Sequence, residues 1–394
     1  MNINGTFRFH NIGQGLFYSG IINKKDAKKH DVFSFVYDCG TVSSKYFLMR
    51  EIHTFKLLLP ETGPHHEKKL DLLIISHLHD DHVNGLEYLL KDIKVDTVIM
   101  PYVDESLKTL PLVESAGNNE FLRTFYLDPI EWFASRGVRR ILLLGAEDEA
   151  PEKELFPDRF PDNNDSGIQV DPESVGRTTR RNGTSIIYLK NESSIRCNNY
   201  CWEFKFENLK LDPDKIDSYK HIVEWYMKEY KTLEEILKDK RLIKKLREEI
   251  RIECGNILNR TSVVLLHGPM ASDALVRFGF RNSCLCSYWV PLKIDDDIQG
   301  STVLTGNVQL NAGESFQILD NASVKHRYLV VQFPHHGSKN NNIKYFCDLW
   351  AIITILSYGI ANPYGHPHGK VLQQLERLAH VTERQAYDYQ ISIF

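Results

Sequence analysis

The chain has 394 residues, of which 42% are hydrophobic and 25% are charged, and this composition is typical of a soluble globular protein with a large core. The formal charge is −4, from 48 basic and 52 acidic side chains, so the chain has no overall basic excess that would indicate nucleic-acid binding. A local basic face could still bind nucleic acid. No apolar stretch approaches the roughly 20 residues that span a bilayer. We therefore predict a cytoplasmic protein without membrane association.

Seven cysteines are scattered along the chain without the spacing of a disulfide framework. An odd count of this kind favours a reducing compartment, with most cysteines buried as small apolar side chains. The pairs Cys197/Cys201 and Cys284/Cys286 leave a structural zinc site open as an alternative. Neither pair has the Cys-x-x-Cys spacing that makes such a site specific.

The first 70 residues are predicted to form short strands separated by polar segments. Strands are expected at 7–10, 17–22 and 32–37, where apolar residues alternate or cluster. Residues 41–69 are polar and include His65 and His66, so they are predicted to form a surface excursion over the functional site, with both histidines in solvent.

The residues around which the chain is organised follow a short apolar run at 72–75, which is typical of a buried strand. Three histidines and two aspartates come directly after it: His77, His79, Asp80, Asp81 and His82. In extended backbone His77 and His79 point the same way, because side chains alternate along a strand. Imidazole and carboxylate suit zinc, iron or manganese. The spacing therefore predicts a metal site at the end of this strand.

The middle of the chain is predicted to combine α/β structure with a large insertion. Strands are expected at 96–101 and 140–144, with one or two helices between them at 119–136. The insertion spans 147–258 and begins with an irregular segment rich in proline and acidic residues. Charged helices follow at about 214–254, and they carry one apolar stripe. This stripe fits helices docked by one face, or alternatively a contact with a protein partner through 214–254.

Further strands near the C-terminus end in polar residues of the same kind as the first site. The strand at 301–304 is followed by Thr-Gly-Asn307, the strand at 328–333 by Pro-His335-His336-Gly-Ser338, and the strand at 351–357 by Asn362-Pro-Tyr-Gly-His366-Pro-His368. Strand ends are rigid positions from which ligands are aimed.

His-x-His-x-Asp-His after a strand, together with these later motifs in this order, resembles the metallo-β-lactamase superfamily of metal hydrolases. The Gly13-Gln-Gly15 turn near the start is most similar to the hydrolase domain of bacterial competence (DNA-uptake) proteins. The resemblance covers 7–101 and 259–394. It implies an α/β fold, a single domain over 1–394 built as an αββα sandwich with large insertions.

The resemblance also implies the roles of individual residues. One or two divalent ions, zinc or manganese, would be held by His77, His79, Asp81, His82, His335 or His336, and Asn307. Asp81 would also orient the attacking water, His366 would act as general acid, and Asp38 would accept structural hydrogen bonds near the site. Ser338, Asn362, Tyr364 and His368 would contact the substrate.

Asn307 departs from the family pattern, which has an aspartate that bridges two ions at this position. A neutral amide is a much poorer bridging ligand than a carboxylate. The second ion would then be labile or absent, or Asp80 or Asp81 would compensate, or the site would be inactive. His267 lies where members often have a further histidine ligand, but its placement does not match.

The function predicted from the resemblance is that of a soluble metal-dependent phosphodiesterase, most consistent with a nuclease, whose substrate is nucleic acid or another phosphodiester. Defence against foreign DNA would suit such an enzyme. Two alternatives stay open: a hydrolase of a small ester or cyclic nucleotide, and a catalytically impaired metal-binding scaffold.

Overall fold

The computed structural model describes residues 3–24, 32–62, 67–103, 107–115, 120–146, 167–230, 232–270, 274–281, 287–293, 298–320 and 327–393. The irregular start of the predicted insertion (147–166), His65, His66 and the pair Cys284/Cys286 lie outside these residues.

The strands and helices are numbered in chain order. The strands are β1 (Ile3–Phe9), β2 (Gly15–Lys24), β3 (Val32–Thr41), β4 (Glu61–Thr62), β5 (Glu67–Ile74), β6 (Ile93–Pro101), β7 (Arg140–Leu144), β8 (Ile168–Val170), β9 (Val175–Arg181), β10 (Thr184–Leu189), β11 (Glu192–Cys197), β12 (Trp202–Glu207), β13 (Val264–Pro269), β14 (Ala274–Arg281), β15 (Ser287–Lys293), β16 (Ile298–Leu304), β17 (Arg327–Gln332), β18 (Ile353–Ser357), β19 (Leu378–Val381) and β20 (Tyr387–Ile393). The helices are α1 (Lys45–Leu58), α2 (Asp80–Val83), α3 (Leu86–Leu89), α4 (Leu110–Ser115), α5 (Glu120–Leu127), α6 (Pro129–Ala134), α7 (Pro213–Tyr230), α8 (Leu233–Lys238), α9 (Lys240–Glu253), α10 (Ile257–Arg260), α11 (Gln317–Asp320), α12 (Ile343–Asp348) and α13 (Gly369–Gln374).

Two sheets make up the body of the fold. In the described part of the chain, twelve strands form the first sheet, in the order β15-β14-β20-β1-β2-β3-β5-β6-β7-β10-β9 with β4 on β5, and eight form the second, in the order β19-β18-β17-β16-β13-β12-β11-β8. Strands β3, β5, β6 and β7 run parallel in the first sheet, as β16 to β19 do in the second. Parallel strands end at one edge, so each sheet presents a row of strand ends.

The apolar side chains of β5 show how the layers are arranged. Leu72 and Ile74 point into the core between the two sheets, where they join Phe35, Phe204 and side chains of both sheets. Leu73 and its neighbours on the opposite face pack under α1, α3, α5 and α6. Helices α11, α12 and α13 cover the outer face of the second sheet in the same way. The fold is thus mixed α/β, with helices outside two facing sheets, as expected from the sequence.

The prediction of a polar surface excursion at 41–69 was wrong for residues 45–58. This stretch contains α1, which begins after Ser44, whose side chain accepts a hydrogen bond from the Tyr46 N–H. Leu48, Ile52 and Phe55 bury one face of the helix against the first sheet. Many polar residues on the other faces hide this spacing of three and four residues.

The range predicted as an insertion contains strands as well as helices. Strand β10 pairs with β7 in the first sheet, and β12 pairs with β13 in the second. Helices α7, α8 and α9 bury their apolar stripe in a separate cluster with α4 and α10. Within the described residues, no helix has the length and apolar character needed to cross a membrane.

A buried hydrogen-bond chain in the core fixes the state of His267. The Trp202 indole N–H donates to His267 Nδ1 at 3.3 Å, so the ring carries its proton on Nε2 and donates to the Tyr18 hydroxyl at 2.9 Å. Burial lowers the pKa of His267 to about 3. His267 is therefore a neutral core residue in β13 and lies within the sheet rather than at its end.

Acidification is expected to destabilise the protein through His267. Its pKa in the folded protein lies below the unfolded value of about 6.5, so its contribution is present above that value and is lost as the pH falls toward 3. The free energy of unfolding should therefore fall by about 2 kcal/mol more between pH 7 and pH 5 in the wild type than in His267→Gln, as measured by urea unfolding. Equal pH dependence in the two proteins would contradict a neutral His267.

Candidate metal centre

The predicted motif residues lie where the strand ends of the two sheets meet. His77 and His79 follow β5 of the first sheet, and Asp81 and His82 lie in the short helix α2 that comes next. The second sheet brings up His336, in the 3₁₀ turn after β17. Among the described residues, Asp81, His82 and His336 form a group whose possible ligand atoms all lie within 4.8 Å of one another.

His77 and His79 face each other across a narrow gap. The distance from His77 Nε2 to His79 Nδ1 is 3.0 Å. His77 donates from Nδ1 to Ser76 Oγ at 2.9 Å, because that hydroxyl donates its own proton to Asp38. Burial, together with the charge of His82, holds the pKa of His77 well below its usual value, so its Nε2 is an acceptor. His79 donates from Nε2 to Glu114 Oε2 at 2.9 Å, which leaves its Nδ1 to face His77.

Asp38 accepts hydrogen bonds from Ser76 and His82, which adjoin or form part of the candidate centre. Its carboxylate accepts hydrogen bonds from the Ser76 N–H at 2.7 Å, from the Ser76 hydroxyl at 2.6 Å and from His82 Nδ1 at 2.7 Å. Asp38 is fully buried and adopts a positive φ of 57°, an unusual conformation for a residue other than glycine. Its expected role as a hydrogen-bond acceptor near the site is thus what the geometry shows.

His336 approaches the same point from the second sheet. Its Nδ1 donates to the Ser357 carbonyl at 2.8 Å, and its Nε2 lies 3.1 Å from Asp81 Oδ2. The pKa of Asp81 is held well below its usual range, because the neighbouring His82 and His336 outweigh the effect of burial. His82 Nε2 lies 3.7 Å from the same oxygen.

These hydrogen bonds provide a test of whether a cation fits the site. Ser357 and Asp38 take the Nδ1 protons of His336 and His82, so in the neutral rings both Nε2 atoms present lone pairs toward the Asp81 carboxylate. His82 Nε2 is buried without a hydrogen-bond partner in the described structure. Acceptors facing one another at about 3 Å need a shared proton or a cation between them. The donor set of imidazole and carboxylate fits zinc or manganese.

Asn307 follows β16 and lies beside His82. It is buried beside His82, whose pKa it helps to raise, and its Oδ1 has no hydrogen-bond partner among the described residues. The turn that carries it is held by the Gln332 side chain, which accepts from the Thr305 and Gly306 N–H groups at 2.9 and 3.0 Å. The buried amide oxygen of Asn307 is thus not used by a hydrogen bond within the described structure, and its role as a metal ligand stays a prediction.

Asp80 and His335 are not members of the group formed by Asp81, His82 and His336. One carboxylate oxygen of Asp80 accepts a hydrogen bond from the Tyr126 hydroxyl of α5 at 2.8 Å. His335 Nδ1 lies 3.3 Å from Asn259 Nδ2 and accepts from that amide. Both His335 and His336 have positive φ angles, of 51° and 56°, so consecutive side chains leave the turn in different directions.

His366 lies at the rim of the site. Its ring centroid is 5.4 Å from that of His335 and 6.4 Å from that of His336, and its Nδ1 is buried without a described partner. Burial, with the charge of His336, lowers the pKa of His366 to about 4. An anionic phosphate beside the ring would raise this pKa, which is the condition under which it could give up a proton.

The residues predicted to contact substrate differ in how many hydrogen bonds their side chains already form within the protein. The Asn362 amide shapes its own loop, since it accepts from the Tyr364 and His366 N–H groups and donates to backbone carbonyls. His368 caps α13 by accepting from the Lys370 N–H, and Ser338 is buried and accepts from the Asn340 N–H. Tyr364 is 58% exposed, and its ring stacks near His366 with 6.0 Å between centroids.

Glu114, Ser76 and Gln332 hold the site together but were not predicted. Ser76 lies between the end of β5 and His77, so its position in the sequence could have predicted a place beside the site. Glu114 lies 35 residues from His79, and Gln332 lies inside a strand. No pattern in the sequence connects these two side chains with the site.

Comparison with known proteins gives a family match for the part of the chain that carries Asp38 and the residues from His77 to His82. Residues 31–181 match the family model of the metallo-beta-lactamase superfamily. The match covers less than half of the chain, and it includes Asp38, His77, His79, Asp81 and His82 but not His336. It supports a metal-dependent hydrolase. A competence-type branch is not distinguished by any comparison, so that finer assignment stays a prediction.

The comparison of structures gives a more distant similarity. A long form RNase Z from yeast aligns with 98% of this chain and 41% of its own, at 11% identity and a TM-score of 0.32. This chain therefore spans well under half of that protein, and a TM-score this low does not relate the two activities. No curated protein matches the chain.

Proposed function

We propose that the protein is a metal-dependent hydrolase that cleaves phosphodiesters, with nucleic acid as the favoured substrate class. The observation that carries the proposal is the convergence of acceptor atoms from Asp81, His82 and His336, each oriented by a hydrogen bond or a charge behind it. A divalent ion bound there would polarise the bond under attack and lower the pKa of a water ligand toward about 7.

The side chains of the chain itself have separable roles in this proposal. His82 and His336 would hold the ion through Nε2, since their Nδ1 atoms donate to Asp38 and to the Ser357 carbonyl. The Asp81 carboxylate, at 3.1 Å from His336, is placed both to hold the ion and to accept a proton from the attacking water. His366 lies on the open side, where a leaving group would be reached.

Lysines close in sequence to His336 and His366 favour a polyanion. The segments at 334–348 and 358–375, which carry His336 and His366, contain Lys339, Lys344 and Lys370 and one acidic residue, at the end of α12. All three lysines are exposed. Basic side chains beside a metal centre attract phosphate by charge and release counterions on binding. The exposed ring of Tyr364 offers a surface on which a nucleobase could stack.

Metal-dependent cleavage of a generic phosphodiester and of plasmid DNA is the expected result. Activity should appear with zinc or manganese, disappear with EDTA, and fall by more than about 100-fold in His79→Ala, because loss of a metal ligand exceeds the 10–100-fold cost of losing an outer partner. His53→Ala, an exposed histidine on α1, is the matched control and should keep full activity. Both rates are measured on protein whose metal content is known.

Metal-loaded protein that cleaves neither substrate would overturn the phosphodiesterase proposal. The neutral Asn307 would then favour the second candidate, a metal-binding protein without hydrolytic activity toward phosphodiesters. Cleavage of the generic phosphodiester or of a cyclic nucleotide, without cleavage of DNA or RNA, would instead keep the hydrolase and reject nucleic acid as substrate.

A further inference from the structure

A carboxylate from a short helix outside the sheets reaches the metal centre. Glu114 lies in α4, between β6 and α5, and its Oε2 accepts the Nε2 proton of His79 at 2.9 Å. Its side chain is 15% exposed, so the contact is shielded from bulk water.

Helix α4 is attached to the helical insertion rather than to the sheet alone. Leu110 and Val113 of α4 are buried in a cluster formed mainly by α7, α8 and α9. The hydroxyls of Thr109 and Tyr219 form a hydrogen bond of 2.7 Å between the start of α4 and α7. Arg247 of α9 donates to the Val113 carbonyl, next to Glu114. The position of Glu114 therefore depends on how the insertion packs.

The contact with Glu114 selects one form of the His79 ring. A histidine that donates from Nε2 to a carboxylate has its lone pair on Nδ1, and this atom lies 3.0 Å from His77 Nε2. Without Glu114 as acceptor, the His79 ring could rotate by about 180° or carry its proton on Nδ1. In either case Nδ1 would no longer present a lone pair toward His77. Partners of this kind raise metal affinity by holding the ligand in its binding form.

We propose that Glu114 is a positioning residue, delivered by the helices of the insertion, that fixes His79 with its Nδ1 toward the metal ion. The insertion thereby sets the affinity of the His77/His79 pair for the ion. This inference rests on the proposed function in that it takes the centre to hold a metal, but it does not depend on the substrate.

The test measures zinc affinity by competition with a chromophoric chelator, together with the ring ¹⁵N shifts of His79. Glu114→Ala should lower zinc affinity by about 10–100-fold and shift the His79 ring away from the Nε2–H form. Glu114→Gln keeps an acceptor oxygen without the charge, so its loss should be smaller. Glu120→Ala, an exposed acid at the start of α5, is the control and should bind zinc as the wild type does. Circular dichroism checks that each variant is folded.

A second pair of variants tests the part played by the insertion. Arg247→Ala removes the hydrogen bond to α4 and should lower zinc affinity in the same direction as Glu114→Ala, whereas Arg251→Ala, exposed one turn later on α9, should not. Folded Glu114→Ala with unchanged zinc affinity and His79 shifts would overturn the inference, and an unchanged Arg247→Ala would overturn the link to the insertion. Absence of phosphodiester cleavage with these binding effects intact would reject only the proposed substrate.

Discussion

His336→Asn is expected to lower both zinc affinity and phosphodiester hydrolysis by more than about 100-fold, a larger loss than that of an outer hydrogen-bond partner. The ring of His336 brings a nitrogen from the second sheet to within 3.1 Å of Asp81, a residue that follows the first sheet. Without it, the ion would lose the imidazole that the second sheet contributes, and the neutral amide of Asn307 is a weaker ligand. Asparagine is the appropriate replacement, because residue 336 has a positive φ that asparagine tolerates.

The neighbouring variant His335→Asn is the matched control for backbone conformation. Residue 335 has a similar φ of 51°, but its ring contacts Asn259 instead of Asp81. Zinc affinity should therefore stay close to that of the wild type, whether or not catalysis changes. If His335→Asn loses zinc and His336→Asn keeps it, the assignment of the two rings is reversed. Zinc content after dialysis and chelator competition measure the difference.

The sequence was sufficient for the part of the site that is contiguous along the chain. His77, His79, Asp81 and His82 lie within six residues of one another, and the strand followed directly by the short helix α2 keeps them close in space. The roles of His335 and His336 could not be separated in this way. Two consecutive residues in the left-handed region direct their side chains by tertiary packing, and no local pattern in the sequence encodes that choice.

Features that depend on contacts between distant segments also could not be predicted from the sequence. Glu114 reaches His79 only because α4 is packed by the insertion, and this arrangement follows from side chains more than 100 residues apart, such as Val113 and Arg247. Helix α1 was a different case, since its apolar spacing at Leu48, Ile52 and Phe55 was present in the sequence. The polar composition of 41–69 outweighed that spacing, although surface helices are polar on most faces.

The replacement Asn307→Asp is expected to raise metal stoichiometry from one ion to two. The side chain is buried beside His82 and its oxygen has no described hydrogen-bond partner, so a carboxylate there would face the same space with a full negative charge. A unit charge pair at 4 Å contributes about 4 kcal/mol near a protein surface, so a gain in affinity for the second ion on the order of 100-fold is a conservative expectation. Metal analysis and titration calorimetry measure the number and affinity of the ions.

The metal-free form of Asn307→Asp should change in the opposite direction. A new carboxylate beside His82, which already contacts Asp38 and Asp81, adds like charge to a buried cluster. The melting temperature without metal should therefore fall, while the rise produced by zinc should exceed that of the wild type. An unchanged stoichiometry with an unchanged zinc-induced rise would show that residue 307 does not face the ions. Higher hydrolytic activity with two ions would mean that the natural amide limits catalysis, whereas lower activity would mean that one ion is the working state of this centre.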